Sequence, residues 1–190
     1  FGGGTPTTLD EEQLRQVTGE LAQAFDLSQI REYTIEAGRP DTLNREKFRI
    51  MKQAGVTRIS INPQTLNDSV LQAIGRRHTA QETIDSFHLA REEGMDNINM
   101  DLIVGLPGED ITKVQHTLDE VKALGPDSLT VHSLAVKRAA RLNIFRDQYQ
   151  EMTFENNQEI MNLTMKTAYE MGMGPYYLYR QKNMKGNFEN

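Results

Sequence analysis

A repeated succession of helix, glycine and extended segment is the feature that most restricts the fold of this chain. Four segments with apolar residues at every third or fourth position end at a glycine, and an apolar or extended stretch follows at once. These glycines are Gly55, Gly94, Gly125 and Gly172. Because glycine readily adopts the left-handed conformation that closes a helix, the pattern predicts helices that return the chain to a sheet. Two capping boxes support the helix starts, Thr8 with Glu11 and Thr79 with Glu82.

Short segments rich in β-branched or aromatic residues separate these helices and predict the strands. They are Tyr33–Glu36, Arg58–Ile61, Ile98–Val104, Ser128–Leu134 and Tyr176–Tyr179, after the end of an earlier strand at Gly2–Thr5. Each interval has room for one or two crossover helices, which predicts an α/β fold with a parallel sheet. No dinucleotide-binding or P-loop fingerprint occurs, so a partial TIM-like barrel is favoured over those folds. We expect residues 1–190 to form a single domain.

Composition excludes several classes of protein. Apolar residues make up 37% and charged residues 25% of the chain, as in globular proteins, and no run is long enough to span a membrane. The net charge of −6 argues against a nucleic-acid partner. Because the sequence shows no secretory signal, we expect a cytoplasmic protein. With no cysteine, the chain itself has no disulfides, thiolate metal sites or cysteine nucleophiles.

Polar residues stand at the ends of the predicted strands, where parallel α/β folds collect their chemistry. They are Gly2–Thr5, Glu36, Ser60, Asn62, Gln64, Asp101, His132 and Ser133. Structural alternatives exist for three of them: the glycines could form only a tight turn, Glu36 could pair with Arg39 or Arg58, and His132 could be a hydrogen-bonded core histidine. Asp101 favours a functional role, because it lies in the apolar run INMDLIVGLP and carboxylates are rarely buried without a partner.

The histidines argue against a histidine zinc site. They are His78, His88, His116 and His132, and no two have the spacing of a helical metal pair. A Gly-x-Ser-x-Gly elbow is also absent from the sequence, so nucleophilic acyl transfer has no local signature.

Seven motifs in a fixed order carry a family resemblance. They are GGGTPT, EAGRPD, SINPQT, IGRRHT, DLIVGLPGE, TVHSLAVKR and PYYLYRQKN, and they cover nearly the whole chain. In this order they resemble the radical S-adenosylmethionine (SAM) superfamily. More narrowly, they resemble the oxygen-independent coproporphyrinogen III oxidases, also called coproporphyrinogen dehydrogenases, and the last two motifs are most similar to the Firmicutes-type branch. The resemblance implies part of a (β/α)6 barrel of the radical SAM type.

The resemblance implies which residues hold the methionine part of SAM. Backbone groups of Gly3, Gly4 and Thr5 would bind its amino group, since glycine allows close approach. Glu36 would contact the methionine moiety or the ribose. Arg76, with Arg77 as the close alternative, would pair with the methionine carboxylate.

The same resemblance places the nucleoside. Gln64 and Asp101 match the polar residues that contact the sugar hydroxyls, and the adenine would lie around Ile103 and Ala135. Two loops depart from the family pattern. Residues 37–40 replace the usual Asn-Pro-Gly, and Asn62–Pro63 replaces the usual Ser-x-Gly, which affects the backbone shape expected there.

The family binds a 4Fe-4S cluster through a Cys-x-x-x-Cys-x-x-Cys loop that precedes the glycine-rich motif. This chain contains no cysteine, so we expect that loop upstream of Phe1 in a longer protein. On its own, the chain is therefore predicted to be inactive, while the full-length protein would hold both the cluster and SAM.

The resemblance also implies the reaction. The full-length enzyme would use a 5′-deoxyadenosyl radical from SAM, with an electron donor, to convert propionates of coproporphyrinogen III to the vinyl groups of protoporphyrinogen IX. A polyanionic substrate needs local positive charge. The candidates are Lys137, Arg138, Arg141, Arg180, Lys182 and Lys185, which could equally form a solvated basic rim.

Two other functions remain open. One is a haem chaperone of the same superfamily, which shares the cofactor motifs. The other is a non-radical barrel lyase that works through Asp101 and His132. A strand lysine able to form a Schiff base would favour the lyase, and no predicted strand contains one.

Overall fold

The computed structural model describes residues 1–133 and 158–176 as alternating helices and strands. The helices are α1 (Glu11–Ala24), α2 (Arg45–Gln53), α3 (Asp68–Ala73), α4 (Ala80–Glu92), α5 (Ile111–Leu124) and α6 (Gln158–Glu170). The strands are β1 (Thr34–Gly38), β2 (Arg58–Gln64), β3 (Ile98–Val104) and β4 (Ser128–Ser133). Two compact units result. The first comprises Phe1–Pro63, His78–Asp101 and Pro126–Thr130; the second comprises Gln64–Arg77, Leu102–Gly125 and the described residues from Val131 onward.

The strands form one sheet in the order β1-β2-β3-β4, and β1 pairs with β2 in parallel. Helices connect each strand to the next, as parallel neighbours require, so the predicted α/β fold is confirmed. β3 has its predicted bounds, whereas β1 and β2 run past their predicted ends at Glu36 and Ile61. The strand expected at Tyr176–Tyr179 lies outside the described residues, except for Tyr176, which is not in a strand.

The predicted helix ends are confirmed by backbone conformation. Positive φ angles of 80°, 80°, 67° and 76° occur at Gly55, Gly94, Gly125 and Gly172. Each glycine thus occupies the left-handed region, which lets the chain leave the helix and turn toward the next element.

One predicted capping box is confirmed and one is wrong. At the start of α4, Thr79 and Glu82 cap each other's backbone N–H groups. At α1 the cap is Asp10, whose carboxylate accepts a hydrogen bond from the backbone N–H of Gln13 at 2.8 Å. Thr8 is not the cap because it lies in a 3-10 turn, where its hydroxyl donates to the carbonyl of Thr5.

In the first unit, alternate strand residues separate an apolar face from a polar one. Side chains on the apolar face of the sheet, Ile35, Ile59 and Ile98, are fully buried, and so are Phe48 on α2 and Phe87 on α4. The residues between them in sequence, Glu36, Ser60 and Asp101, share the opposite face of the sheet. The core therefore lies on the helix side, and the other face is left for polar groups.

The second unit has a core of its own. α5 packs against α6, and buried residues on both helices include Val114, Leu118, Val121 and Ile160. In the described part of the chain, no helix combines the length and apolarity that crossing a membrane demands. The cytoplasmic location stays a prediction.

Gly38 tests how closely the glycine-rich segment is packed. Its φ is +62°, and a Cβ there would lie 2.7 Å from Cγ2 of Thr5. Gly125 has a φ of +67° but no atom within 4 Å of such a Cβ. We expect Gly125→Ala to cost about 1–2 kcal/mol from the left-handed backbone alone, and Gly38→Ala to cost about 1–3 kcal/mol more from overpacking. Urea unfolding measures both, and equal losses would contradict the predicted contact.

Candidate functional site

The glycine-rich segment begins as an extension of the sheet. The amino group of Phe1 donates to the carbonyl of Thr34 at 2.8 Å, and the backbone N–H of Glu36 donates to the carbonyl of Phe1 at 3.1 Å. Phe1 thus bonds to the residues before and after Ile35, which is the hydrogen-bond pattern of two residues paired in parallel strands. It places Gly2 directly beside the side chain of Glu36, at the carboxyl end of β1.

Gly2 lets the carboxylate of Glu36 lie directly against the backbone. A Cβ on Gly2 would lie 2.8–2.9 Å from all three carboxylate atoms of Glu36. Gly3 has a φ of +119° and no atom within 4 Å of a hypothetical Cβ. Gly2, Gly3 and Gly4 are all exposed, so their backbone groups are accessible next to the Glu36 carboxylate. This arrangement suits a small ligand that carries a positive charge.

The far end of the segment is anchored by Thr7 and Lys47, which the sequence analysis missed. Thr7 is fully buried, and its hydroxyl donates to the carbonyl of Ala37 at 2.7 Å. Lys47 on α2 is 8% exposed, and its ammonium donates to the carbonyls of Thr7 and Thr42 at 2.7 and 2.9 Å. The chain on both sides of Gly2–Thr5 is therefore fixed, while the glycines between remain open.

Asp101 lies in a hydrogen-bonded cluster on the polar face of the sheet. Its Oδ1 accepts from the amide of Asn99 at 2.6 Å and lies 3.3 Å from the hydroxyl of Ser60. Asp101 is half-buried, and its hydrogen bonds supply the partners that a carboxylate in an apolar run needs. That run is apolar at the residues that face the helices, and Asp101 alternates with them on the other face.

Glu36, Ser60 and Asp101 form a row across three strands. Glu36 and Ser60 are register partners in the parallel pair, and Ser60 reaches Asp101. The structure thus brings together three predicted features, the glycine-rich segment, Glu36 and Asp101. Two carboxylates beside exposed backbone can bind a ligand that combines cationic groups with hydroxyl donors.

The structural alternatives for Glu36 and His132 are wrong. Arg39 pairs with Asp41 through Nε at 3.0 Å, and the guanidinium of Arg58 donates to Ser128 and lies 3.9 Å from Glu32. Neither arginine pairs with Glu36. His132 on β4 is exposed, so it is not a core histidine.

The remaining described candidates belong to the second unit. Gln64 is buried and has a positive φ of 68°, an unusual conformation for a residue other than glycine. Arg76 is half-buried, Arg77 is exposed, and neither guanidinium has an ion-pair partner in residues 1–133 or 158–176. Ile103 is half-buried on β3. That these residues share one site with Glu36 and Asp101 stays a prediction.

Several predicted positions lie outside the described residues. They are Ala135, expected near the adenine, and the basic residues Lys137, Arg138, Arg141, Arg180, Lys182 and Lys185. Their proposed contacts with cofactor and substrate stay predictions.

A second polar cluster, also missed from sequence, surrounds the buried Glu109. Its carboxylate accepts from the hydroxyl of Thr65 at 2.9 Å, and Asn67 donates to Thr117 on α5 at 2.9 Å. Burial raises the pKa of Glu109 above its ordinary value, against the opposing effect of hydrogen bonds from Thr65 and the backbone. The cluster joins the segment that follows β2 to α5 within the second unit.

Glycine-rich backbone at the carboxyl end of a parallel strand, beside acidic side chains on the polar face of the sheet, defines a class of site that binds a polar cofactor. The family described as the Radical SAM superfamily matches residues 1–121 of this chain. The chain belongs to this superfamily, so the resemblance of its motifs is confirmed.

Individual relatives show which members of the superfamily the chain is similar to. The chain is 47% identical to the oxygen-independent coproporphyrinogen-III oxidase-like protein HemZ of Bacillus subtilis, over 100% of this chain and 38% of HemZ. It is 40% identical to the heme chaperone HemW of the same organism, over 72% of this chain and 36% of HemW. The structure of Escherichia coli coproporphyrinogen III oxidase HemN, a radical SAM enzyme, matches with a TM-score of 0.77 at 25% identity, over 90% of this chain and 39% of HemN. The chain therefore spans about two fifths of these relatives.

Membership of the superfamily implies SAM and a 4Fe-4S cluster, and only SAM fits the residues of this chain. The chain has no cysteine, and the described ranges contain no group of three acidic or histidine side chains that could hold a metal. By contrast, Glu36 suits the cationic methionine part of SAM, and Asp101 can accept from ribose hydroxyls.

Lys47 tests the anchoring of the glycine-rich segment. We expect Lys47→Met to lower the free energy of unfolding by about 1–3 kcal/mol, because two buried carbonyls lose their donor. Lys52→Met on the same helix is the matched control. Lys52 also donates to a carbonyl, that of Gly94, but its side chain is 48% exposed, so water replaces the lost donor there. Urea unfolding of both variants measures the difference. Equal losses in the two variants would show that Lys47 anchors nothing.

Glu109 gives a prediction for pH dependence. The pKa of the Glu109 carboxyl is raised in the folded chain. This group therefore contributes stability at pH values below its pKa in the unfolded chain, and the contribution is lost as the pH rises through its pKa in the folded chain. Glu109→Gln removes this titration. We therefore expect the variant to gain stability relative to wild type as pH rises from acidic to neutral, measured by urea unfolding at several pH values. Glu12→Gln, at an exposed carboxylate, is the control, and a pH-independent difference for Glu109→Gln would contradict the assignment.

Proposed function

We propose that the full-length protein carries out the oxygen-independent oxidative decarboxylation of coproporphyrinogen III propionates to vinyl groups, giving protoporphyrinogen IX in haem biosynthesis. The observation that carries the proposal is the row of Glu36, Ser60 and Asp101 beside the open glycine-rich backbone. The 47% identity to the coproporphyrinogen-III oxidase-like HemZ supports the choice of reaction.

In this proposal the described residues bind and orient SAM. Backbone groups of Gly3, Gly4 and Thr5 hold the methionine amino group, and the Glu36 carboxylate attracts its positive charge. Asp101 accepts hydrogen bonds from the ribose hydroxyls. Gln64 is a further ribose contact, and the half-buried guanidinium of Arg76 pairs with the methionine carboxylate.

SAM supplies, when reductively cleaved, the radical that takes a hydrogen atom from the substrate. The propionate then loses carbon dioxide through cleavage of the bond to its carboxyl carbon, a C=C bond forms, and one electron passes to an acceptor. An electron donor must also reduce the cluster of the full-length protein. The basic residues Lys137, Arg138, Arg141 and Arg180 are the proposed partners of the anionic propionates.

A haem chaperone is the second candidate, favoured by the 40% identity to HemW. Both functions use the same cofactor motifs, so the residues described here suit either. A non-radical lyase has less support, because none of the four described strands contains a lysine that could form a Schiff base.

The reaction can be tested with the full-length protein, its cluster reconstituted without oxygen. The protein is incubated with SAM, a reductant, an electron acceptor and coproporphyrinogen III. We expect it to form carbon dioxide and protoporphyrinogen IX in stoichiometric amounts. The porphyrinogen is oxidised and then detected by chromatography and mass spectrometry. Transfer of haem to an acceptor protein without decarboxylation would refute the oxidase proposal in favour of the chaperone.

Asp101→Asn tests the cofactor placement. Replacing the charged acceptor of the ribose hydroxyls should weaken SAM binding about tenfold or more, because hydrogen bonds to charged groups contribute about 1.5–3 kcal/mol. Anaerobic calorimetry on the reconstituted full-length protein measures the affinity. Asp119→Asn, at an exposed carboxylate on α5, is the matched control and should bind as wild type does. Unchanged affinity in Asp101→Asn would rule out this role for Asp101.

A further inference from the structure

Asn99 is a buried amide whose orientation is set by hydrogen bonds at both of its ends. It lies on β3, two residues before Asp101, and is 2% exposed. Its Oδ1 accepts from the hydroxyls of Ser128 and Thr130 on β4, at 2.9 and 3.2 Å. Because hydroxyls can accept as well as donate, these two contacts alone do not fix the amide. The carboxylate of Asp101 does, because it only accepts and lies 2.6 Å from the amide nitrogen. The amide nitrogen of Asn99 therefore faces the opposite way, toward β2.

The amide nitrogen is the principal donor to Asp101. It lies 2.6 Å from Oδ1 of Asp101 and 2.9 Å from the hydroxyl oxygen of Ser60. The single Ser60 proton has a nearer acceptor in Oδ1 of Asn62, at 2.9 Å, than in Asp101, at 3.3 Å. Asn99 is thus the donor that holds Asp101, and Ser60 is shared with Asn62.

The second carboxylate oxygen of Asp101 is left for a ligand. Both hydrogen bonds of this side chain go to Oδ1, and Oδ2 has no partner in the described part of the chain. Since a carboxylate is planar, fixing Oδ1 also fixes the direction of Oδ2. A side chain held in this way loses less conformational entropy when a ligand binds.

We propose that Asn99 is a positioning residue, which aims Oδ2 of Asp101 at the ribose hydroxyls of SAM. The inference rests on the proposed function of the same site. Hydrogen bonds run from Thr130 and Ser128 through Asn99 to Asp101. In this proposal they serve the recognition of a vicinal diol as well as the stability of the sheet.

Asn99→Asp tests the proposal in the reconstituted full-length protein. The substitution keeps the size of the side chain and the acceptor for Ser128 and Thr130, but sets a second carboxylate against Asp101. The two carboxylates then repel each other or share a proton, and the ionised acceptor held by an amide donor is lost. Calorimetry would use two probes, S-adenosylhomocysteine and the same compound without its ribose hydroxyls. We expect the variant to bind S-adenosylhomocysteine about tenfold more weakly than wild type, and the deoxygenated compound less than twofold more weakly.

Two further variants make the result specific. Asn44→Asp makes the same chemical change at the cap of α2, where Asn44 accepts from the backbone N–H of Lys47, and should bind both probes as wild type does. If Asn99→Asp does not fold, the double variant Ser128→Ala, Thr130→Val removes the hydroxyls that orient the amide. We expect a smaller loss in that variant, again confined to the probe with ribose hydroxyls.

The outcomes separate the two proposals. Equal losses for the two probes, or no loss, in a variant with wild-type cluster content would overturn the role of Asn99 and leave the proposed function standing. Wild-type protein that binds neither probe would overturn the proposed function and the inference together. A loss confined to the hydroxyl-bearing probe supports both.

Discussion

Parallel pairing between β1 and β2 is the constraint on which the rest of the site depends. The register sets Glu36 beside Ser60 on one face of the sheet. Residues that alternate with them turn apolar side chains toward the helices, so the face that carries Glu36 and Ser60 is left for polar groups. The backbone of Phe1 continues the pattern by bonding on both sides of Ile35. The glycine-rich segment is thereby carried to the carboxyl end of β1, where Gly2 lies directly against the carboxylate of Glu36.

Hydrogen bonds join the polar side chains on this face into one set. Asn99 uses both ends of its amide, so three strands are joined through one side chain. In a partly buried setting such networks favour one arrangement, because each broken bond leaves a polar group without a partner. A set that leaves one carboxylate oxygen without a partner among the described residues is suited to holding a hydroxylated ligand at a defined angle.

Much of the fold was predictable because it depends on local chemistry. Glycines after segments of apolar periodicity marked the helix ends, where the structure has positive φ angles, and a short run rich in β-branched residues marked β3 with the bounds that the structure shows. The cap of α1 was not predictable from spacing alone, since Thr8 and Asp10 both precede suitable partners and the 3-10 turn decided between them. Asn99 escaped notice because a single amide in a strand carries no signal until its neighbours are known.

The sequence by itself determined the superfamily, the α/β class and the polar residues at the strand ends, because these follow from motif order and periodicity. Only the tertiary structure decided what each residue touches. It separated Glu36 from Arg39 and Arg58, showed that Lys47 holds the carbonyls of Thr7 and Thr42, and joined Asn99 to Asp101. These contacts link residues far apart in the chain, or depend on which way a side chain turns, and spacing along a sequence specifies neither.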